Sequence, residues 1–335
     1  MSLPIHGGDL AAAEQRWGKP VAGWLDLSTG INPWAYAFGR LAGECWRRLP
    51  GADEEAALRA AAARAYGCGA DQVLAVPGTS ALIQALPRLF SPRRVAVLSP
   101  TYGEHANAWA GAGHQVAEVT MVADAVGAEV LVVVNPNNPD GRSLKPQDII
   151  ELVGKFPLVV VDEAFGDVAP HLSVAGHLRP GLVVLRSFGK FYGLAGLRLG
   201  FCLAMPDILA KLAPVWGPWP VSGPALSIGA TALTDHVWAD ASRAHLANAA
   251  DRLDGVLQAG GLRPLGGTSL FRLVDHPQAA EIYDRLGRAG ILVRAFSHRP
   301  TWLRFGLPGG EAALRRLGAA LPGGEAALRP GGEGQ

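Results

Sequence analysis

The segment SFGKFYGLAGLRLG, Ser187 to Gly200, brings a hydroxyl, an amine and a guanidinium into one short stretch. Lys190 follows a β-rich run and sits in a glycine-rich loop, with Ser187 three residues before it and Arg198 eight after. A lysine at the end of a parallel strand is positioned to reach the crevice outside the carboxyl ends of a sheet. There a neutral amine can form an imine with a carbonyl compound, which requires a depressed pKa. Ser187 and Arg198 would add a hydroxyl donor and a guanidinium fork for an anionic group on the same ligand. Amine candidates are few, because only Lys19, Lys145, Lys155, Lys190 and Lys211 are lysines among 30 basic residues.

Four other segments carry possible chemistry. LVVVDEAF ends an apolar run in Asp162. A carboxylate buried there needs a cationic partner. Asp162 is either a helix cap or part of a structural ion pair, or its partner is a pyridinium nitrogen, which the carboxylate would keep protonated so that the ring acts as an electron sink. NPNNPDG, Asn135 to Gly141, is either a turn or the source of a side-chain amide, from Asn138, for a ring oxygen. PGTS leads from a strand into a helix, so Gly78, Thr79 and Ser80 either cap that helix or offer backbone N–H groups to a phosphate. Tyr102 in SPTYGEH is either a core tyrosine or a ring that stacks on an aromatic ligand.

The elements that must position these residues are strands and helices in alternation. VLAV (73–76), RVAVL (94–98), EVLVVV (129–134), LVVVDEAF (158–165), LVVLRSF (182–188) and LRLGFCLA are the strand candidates. Continuous apolar strands bounded by Gly, Pro or Asn predict a mostly parallel sheet covered on both faces, hence the α/β class. After Ser222 the texture changes to two Ala-rich helices and then SLFRLV, a helix over 277–288, ILVRAF and TWLRFGL. This predicts an N-terminal arm over 1–40, a large domain over 41–222, a smaller α+β domain over 223–320 and a tail over 321–335. The tail holds the second copy of LPGGEAALR.

Composition narrows the class. Hydrophobic residues make up 49% and the net charge is +1, which excludes a disordered polyelectrolyte and argues against a nucleic-acid binder working through a basic field. Three cysteines without CxxC spacing predict a reducing compartment and no disulfide framework. No basic head precedes an apolar block at the start, and no apolar run reaches membrane length, so a cytoplasmic protein without a membrane partner is expected. No GxGxxG with a downstream acid follows the first strand, which argues against a nucleotide-dependent dehydrogenase.

In their order along the chain, the GTS helix start, Tyr102, Asn138, Asp162 and Ser187–Lys190–Arg198 resemble the fold type I pyridoxal-phosphate enzymes of the class I/II aminotransferase superfamily. The resemblance runs from about Ser28 to Leu317. It implies a PLP-transferase fold, a homodimer and no metal. It also implies that Lys190 holds pyridoxal phosphate covalently, Asp162 pairs with the pyridine nitrogen, Asn138 contacts the ring hydroxyl and Tyr102 stacks on the ring. Gly78, Thr79, Ser80, Ser187 and Arg198 would bind the cofactor phosphate, and Arg304 in TWLRFGL the substrate carboxylate. Phe165 stands where many relatives have a tyrosine, and Leu49 where many have the tyrosine of YPD.

HGGDLAAAEQRWG and WLDLSTGINPW further resemble the threonine-phosphate decarboxylases of cobalamin biosynthesis. Their members convert L-threonine O-3-phosphate into (R)-1-amino-2-propanol O-2-phosphate and carbon dioxide. On that resemblance Arg294 and His6 meet the substrate phosphate and Asn32 lies near the carboxylate, with Arg299 and His298 as further donors. The rival expectation is an aminotransferase acting on a phosphate-bearing substrate such as histidinol phosphate.

Overall fold

The computed structural model describes residues 7–323, so His6 and the end of the chain from residue 324 lie outside the described residues. The described strands are β1 (Leu25–Leu27), β2 (Val73–Val76), β3 (Arg94–Leu98), β4 (Gln115–Val119), β5 (Val130–Val134), β6 (Leu158–Asp162), β7 (Leu182–Ser187), β8 (Gly200–Ala204), β9 (Pro264–Thr268), β10 (Phe271–Asp275), β11 (Ile291–Phe296) and β12 (Arg299–Gly306). Ala35–Asp240 is one compact unit, and the described residues up to Trp34 with the described ones from Ala241 onward are another.

In the first unit seven strands lie in the order β2-β8-β7-β6-β5-β3-β4. β7, β6, β5, β3 and β4 are parallel, whereas β8 runs against both of its neighbours. β5, β6 and β7 are buried at every position, as their unbroken valine-rich runs require. Each such side chain contributes about 1.5–3 kcal/mol by leaving water.

Alternation gives each strand two apolar faces. Val97, Val132, Val160 and Val183 face Leu82 and Ile83 of helix Thr79–Ala85, Trp109 of helix Glu104–Gly111, and Leu209 and Leu212 of helix Pro206–Leu212. On the other face Phe201 meets Tyr66 of helix Ala52–Tyr66, ring to ring at 5.7 Å. β4, which the sequence reading did not assign, is the edge strand QVAEV, with Gln115 and Glu118 exposed.

Helix Gly223–Thr234 packs on helix Ala52–Tyr66 in this unit. The fit is close: a Cβ on Gly229 would sit 2.8 Å from Leu58 Cδ1. This compact unit runs on to Asp240, inside helix His236–Ala259.

The second unit has a sheet of order β1-β11-β12-β10-β9, antiparallel except for the pair β1–β11. Its helix Ala279–Arg288 buries Ile282, Tyr283 and Leu286. Helix Leu10–Trp17 starts at Asp9, whose carboxylate accepts from the backbone N–H of Ala12 at 2.9 Å. The opening segment thus belongs to this unit, with β1 as an edge strand of its sheet. Among the described residues no helix is long and apolar enough to cross a membrane.

Candidate active site

Strand direction gathers most of the predicted residues at one rim of the large sheet. β2 ends just before Gly78, β3 before Tyr102, β5 before Asn138, β6 at Asp162 and β7 at Ser187. β8 is reversed, so its beginning lies at the same rim and brings Arg198 there. The register pairs Gly200 with Ser187 on one side and with Val76 on the other. This is the rim at which open α/β sheets bind ligands.

Asp162 is 3% exposed and holds two local partners. Its Oδ1 accepts from the backbone N–H of Ala164 at 2.9 Å, and its Oδ2 lies 2.8 Å from Nε2 of His105. With Asp162 ionised, that nitrogen carries the proton. His105 was not among the predicted residues. The available signal was its position three residues after Tyr102, which in a helix start puts both on neighbouring positions. The two rings stand edge to face with centroids 6.2 Å apart, and Tyr102 is half-buried against the core.

The asparagines of NPNNPDG divide by burial. Asn135 donates to the carbonyls of Leu144 and Leu172 and accepts from Leu144 N. Asn137 donates to Pro100 O and Asp140 Oδ1. Both are 1% exposed and build the loop, whereas Asn138 between them and the following proline is half-buried.

Lys190 lies in the short helix Phe188–Phe191, half-buried, with Nζ 5.9 Å from the centroid of the buried Phe165 ring. Ser187, before that helix, is 9% exposed. Arg198 is exposed and adopts a left-handed backbone, φ 53°, which among the described non-glycine residues is shared only by Trp219. Holding an arginine there costs about 1–2 kcal/mol, a strain that clusters at ligand sites.

The guanidinium of Arg198 lies against the start of the GTS helix. A Cβ on Gly78, itself at φ 88°, would sit 2.8 Å from Arg198 Nη2. A Cβ on Gly200 would sit 2.7 Å from Thr79 N. Bare backbone at both positions lets a guanidinium and N–H donors converge, with Thr79 half-buried and Ser80 exposed. The rim therefore offers an enclosed carboxylate, an amine and a cluster of anion donors. That donor set fits pyridoxal phosphate, which has a basic ring nitrogen, an aldehyde and a phosphate.

In the second unit Arg294 and Arg304 are paired directly across β11 and β12. Arg304 is 7% exposed, donates from Nη2 to Ser28 O at 2.8 Å and stands 5.1 Å from the Phe271 ring centroid. Arg294 is half-buried and lines a small cavity with Gly7, Ser28 and Tyr283. Burial raises the Tyr283 phenol above its ordinary value, opposed by the charges of Arg16 and Arg294. Two cations opposite each other repel, which suits a ligand with more than one negative charge.

Asn32 is 2% exposed, donates to Ser242 Oγ at 3.2 Å and accepts from Trp34 N at 2.9 Å. Arg299 is exposed, with its guanidinium 5.4 Å from the Trp302 ring centroid. His298 is likewise exposed.

The family model "Aminotransferase class I and II" matches residues 27–320. A threonine-phosphate decarboxylase of Sinorhizobium sp is 47% identical over 96% of this chain and 98% of its own length. A threonine-phosphate decarboxylase of Pseudomonas aeruginosa is 46% identical over 94% and 96%. Among solved structures, histidinol-phosphate aminotransferase from Sinorhizobium meliloti, in complex with pyridoxal-5'-phosphate, superposes with a TM-score of 0.83 over 98% of this chain and 96% of that one, at 25% identity. The chain belongs to the class I and II aminotransferase family, has its fold type I architecture, and within that family groups with the threonine-phosphate decarboxylases.

Proposed function

We propose that this chain is a pyridoxal-phosphate-dependent decarboxylase that converts L-threonine O-3-phosphate into (R)-1-amino-2-propanol O-2-phosphate and carbon dioxide, in cobalamin biosynthesis. The observation that carries this reading is the near-full-length identity of 46–47% to two threonine-phosphate decarboxylases. Histidinol-phosphate aminotransferases match at lower identity, 31–36% over 50–85% of this chain, so the decarboxylase reading is preferred to the aminotransferase one.

Lys190 would hold the cofactor through its aldehyde carbon, Asp162 would face the ring nitrogen, Asn138 the ring hydroxyl and Tyr102 the ring face. Gly78, Thr79, Ser80, Ser187 and Arg198 would hold its phosphate. When bound, pyridoxal phosphate supplies an electron sink for the pair released when a bond at Cα breaks.

The remaining chemistry belongs to the protein. His105, with Nε2 2.8 Å from Oδ2, would hold the Asp162 carboxylate in place to face the ring nitrogen. Arg304 would take the substrate carboxylate, Arg294 and His6 its phosphate, with Asn32 nearby. Anchoring both ends of the substrate sets the rotation about Cα. The phosphate contact would thereby do positional work at a distance, holding the carboxylate in the orientation from which it leaves. Lys190 then delivers a proton from Nζ to Cα, completing replacement of the carboxylate by hydrogen. The enzyme works as a homodimer in the cytoplasm.

The test is direct. Purified protein incubated with pyridoxal phosphate and L-threonine O-3-phosphate should release carbon dioxide with no keto acid present. Dependence on 2-oxoglutarate, with amine transfer to it, would overturn the reading.

A further inference from the structure

We infer that Arg186 and Glu163 form a positioning pair behind the proposed cofactor rim, which sets the spacing between Asp162 and Ser187. The inference rests on the cofactor reading given above. Strand alternation puts Asp162 and Ser187 on one face of the sheet, and Glu163, just after the first, and Arg186, just before the second, on the other. The last paired residues of β6 and β7 are Asp162 and Leu185, and the bond from Glu163 N to Leu185 O, 2.9 Å, is the final backbone link before the chain turns. From there side chains continue the ladder.

Arg186 Nη1 donates to Glu163 Oε2 at 2.7 Å, and Nη2 donates to Asp167 in the loop after β6. Glu163 also accepts from Ser173 Oγ at 2.6 Å and from Val174 N at 2.7 Å. The guanidinium lies 4.3 Å from the Tyr66 ring centroid. Arg186 is 3% exposed and Glu163 0%. One guanidinium thus ties the end of β7 to the end of β6 and to Asp167 in the loop that follows, and Glu163 extends the tie to Ser173 and Val174.

Stability alone accounts poorly for such a cluster. Desolvating these charges costs several kcal/mol each, and well-packed apolar side chains commonly do as well. What apolar packing lacks is fixed direction and distance between two strand ends. The fork of Arg186 supplies both. The chain also makes room for it, since a Cβ on Gly166 would lie 2.5 Å from Arg186 Nη1 and 3.0 Å from Glu163 Cβ. Neither charged residue faces the rim, so both act through their neighbours.

The experiment uses the full chain carrying Arg186→Lys, and separately Gly166→Ala, which keeps every charge and crowds the guanidinium. Leu209→Ala, a buried residue of helix Pro206–Leu212, serves as a destabilised control. Three quantities are measured: the unfolding midpoint of protein stripped of pyridoxal phosphate, the affinity for added pyridoxal phosphate, and the position and pH midpoint of the visible band of the loaded protein. Arg186→Lys should weaken pyridoxal-phosphate affinity by about tenfold or more and move the band or its pH midpoint. Gly166→Ala should move both in the same direction by less, and it decides the matter if Arg186→Lys does not fold. Leu209→Ala should lower the unfolding midpoint and leave affinity and band unchanged.

Wild-type affinity and band in Arg186→Lys or, failing its folding, in Gly166→Ala would overturn the positioning role and leave the cofactor reading standing. Equal shifts in Leu209→Ala would overturn it too. A wild-type protein that develops no band overturns the cofactor reading first, and this inference with it.

Discussion

His105 and Asp162 form an enclosed pair, with Nε2 of one 2.8 Å from Oδ2 of the other and both side chains almost wholly shielded from water. The histidine rises from the first turn of helix Glu104–Gly111 and the aspartate ends β6, so the pair joins a helix to a strand. Replacing His105 by Phe keeps a ring in place and removes the donor. That leaves the buried carboxylate with Ala164 N as its remaining donor among the bonds described above. The expected cost is about 1.5–3 kcal/mol of stability, read from the urea midpoint. Carbon dioxide release should fall by about tenfold to a hundredfold.

Lys190→Ala separates chemistry from folding. The side chain is half-buried at the rim, so unfolding should change by less than about 1 kcal/mol. Turnover should fall by at least about 10³-fold, and the visible band that wild-type protein gains with pyridoxal phosphate should not form. An unaltered band would locate the covalent attachment elsewhere.

The two paired arginines should respond differently to loss of charge. Arg304→Gln removes the bond to Ser28 O as well as the proposed carboxylate contact, so it should lower both stability, by about 1–3 kcal/mol, and kcat/KM. Arg294→Gln, half-buried, should leave the unfolding midpoint within about 1 kcal/mol of wild type while raising KM for L-threonine O-3-phosphate by about tenfold or more. Steady-state kinetics with paired denaturation curves make the comparison.

Two thiols carry an alkaline signature. Burial pushes Cys202 up from 9.0 to about 12, and burial, partly offset by Arg186, pushes Cys68 up from 9.0 to about 11. The folded state therefore favours the protonated thiols. Their stabilising contribution is complete below pH 9, and it falls as the pH rises from there through the folded values. Urea midpoints should drop more steeply above pH 9, and Cys202→Ala should make that slope shallower. Aromatic disulfide reagents at pH 8 should modify Cys68 and Cys202 at least about tenfold more slowly in native than in denatured protein.

The parts legible in the sequence were those where one kind of force dominates. β5, β6 and β7 stand out because every position is buried, and an unbroken apolar run has few other readings. β4 was missed because an edge strand with exposed Gln115 and Glu118 lacks that run and is held by pairing with β3 instead. Helix Gly223–Thr234 could be recognised as a helix, but its allegiance was decided by contact with Leu58, far away in sequence. The same limit applies to the rim. Lys190, Asp162 and Arg198 were marked by local motifs, whereas His105 and Arg186 gain meaning only from partners on other strands and helices.

The reversal of β8 leaves one more consequence. β7 and β8 are antiparallel neighbours joined by Phe188–Leu199, so this excursion leaves and re-enters the sheet at adjacent points, Ser187 and Gly200. Its length is not tied to the height of the sheet, as a crossover between parallel strands would be. Residues inserted or deleted between Lys190 and Arg198 would change the spacing of amine and guanidinium while both flanking strands keep their register.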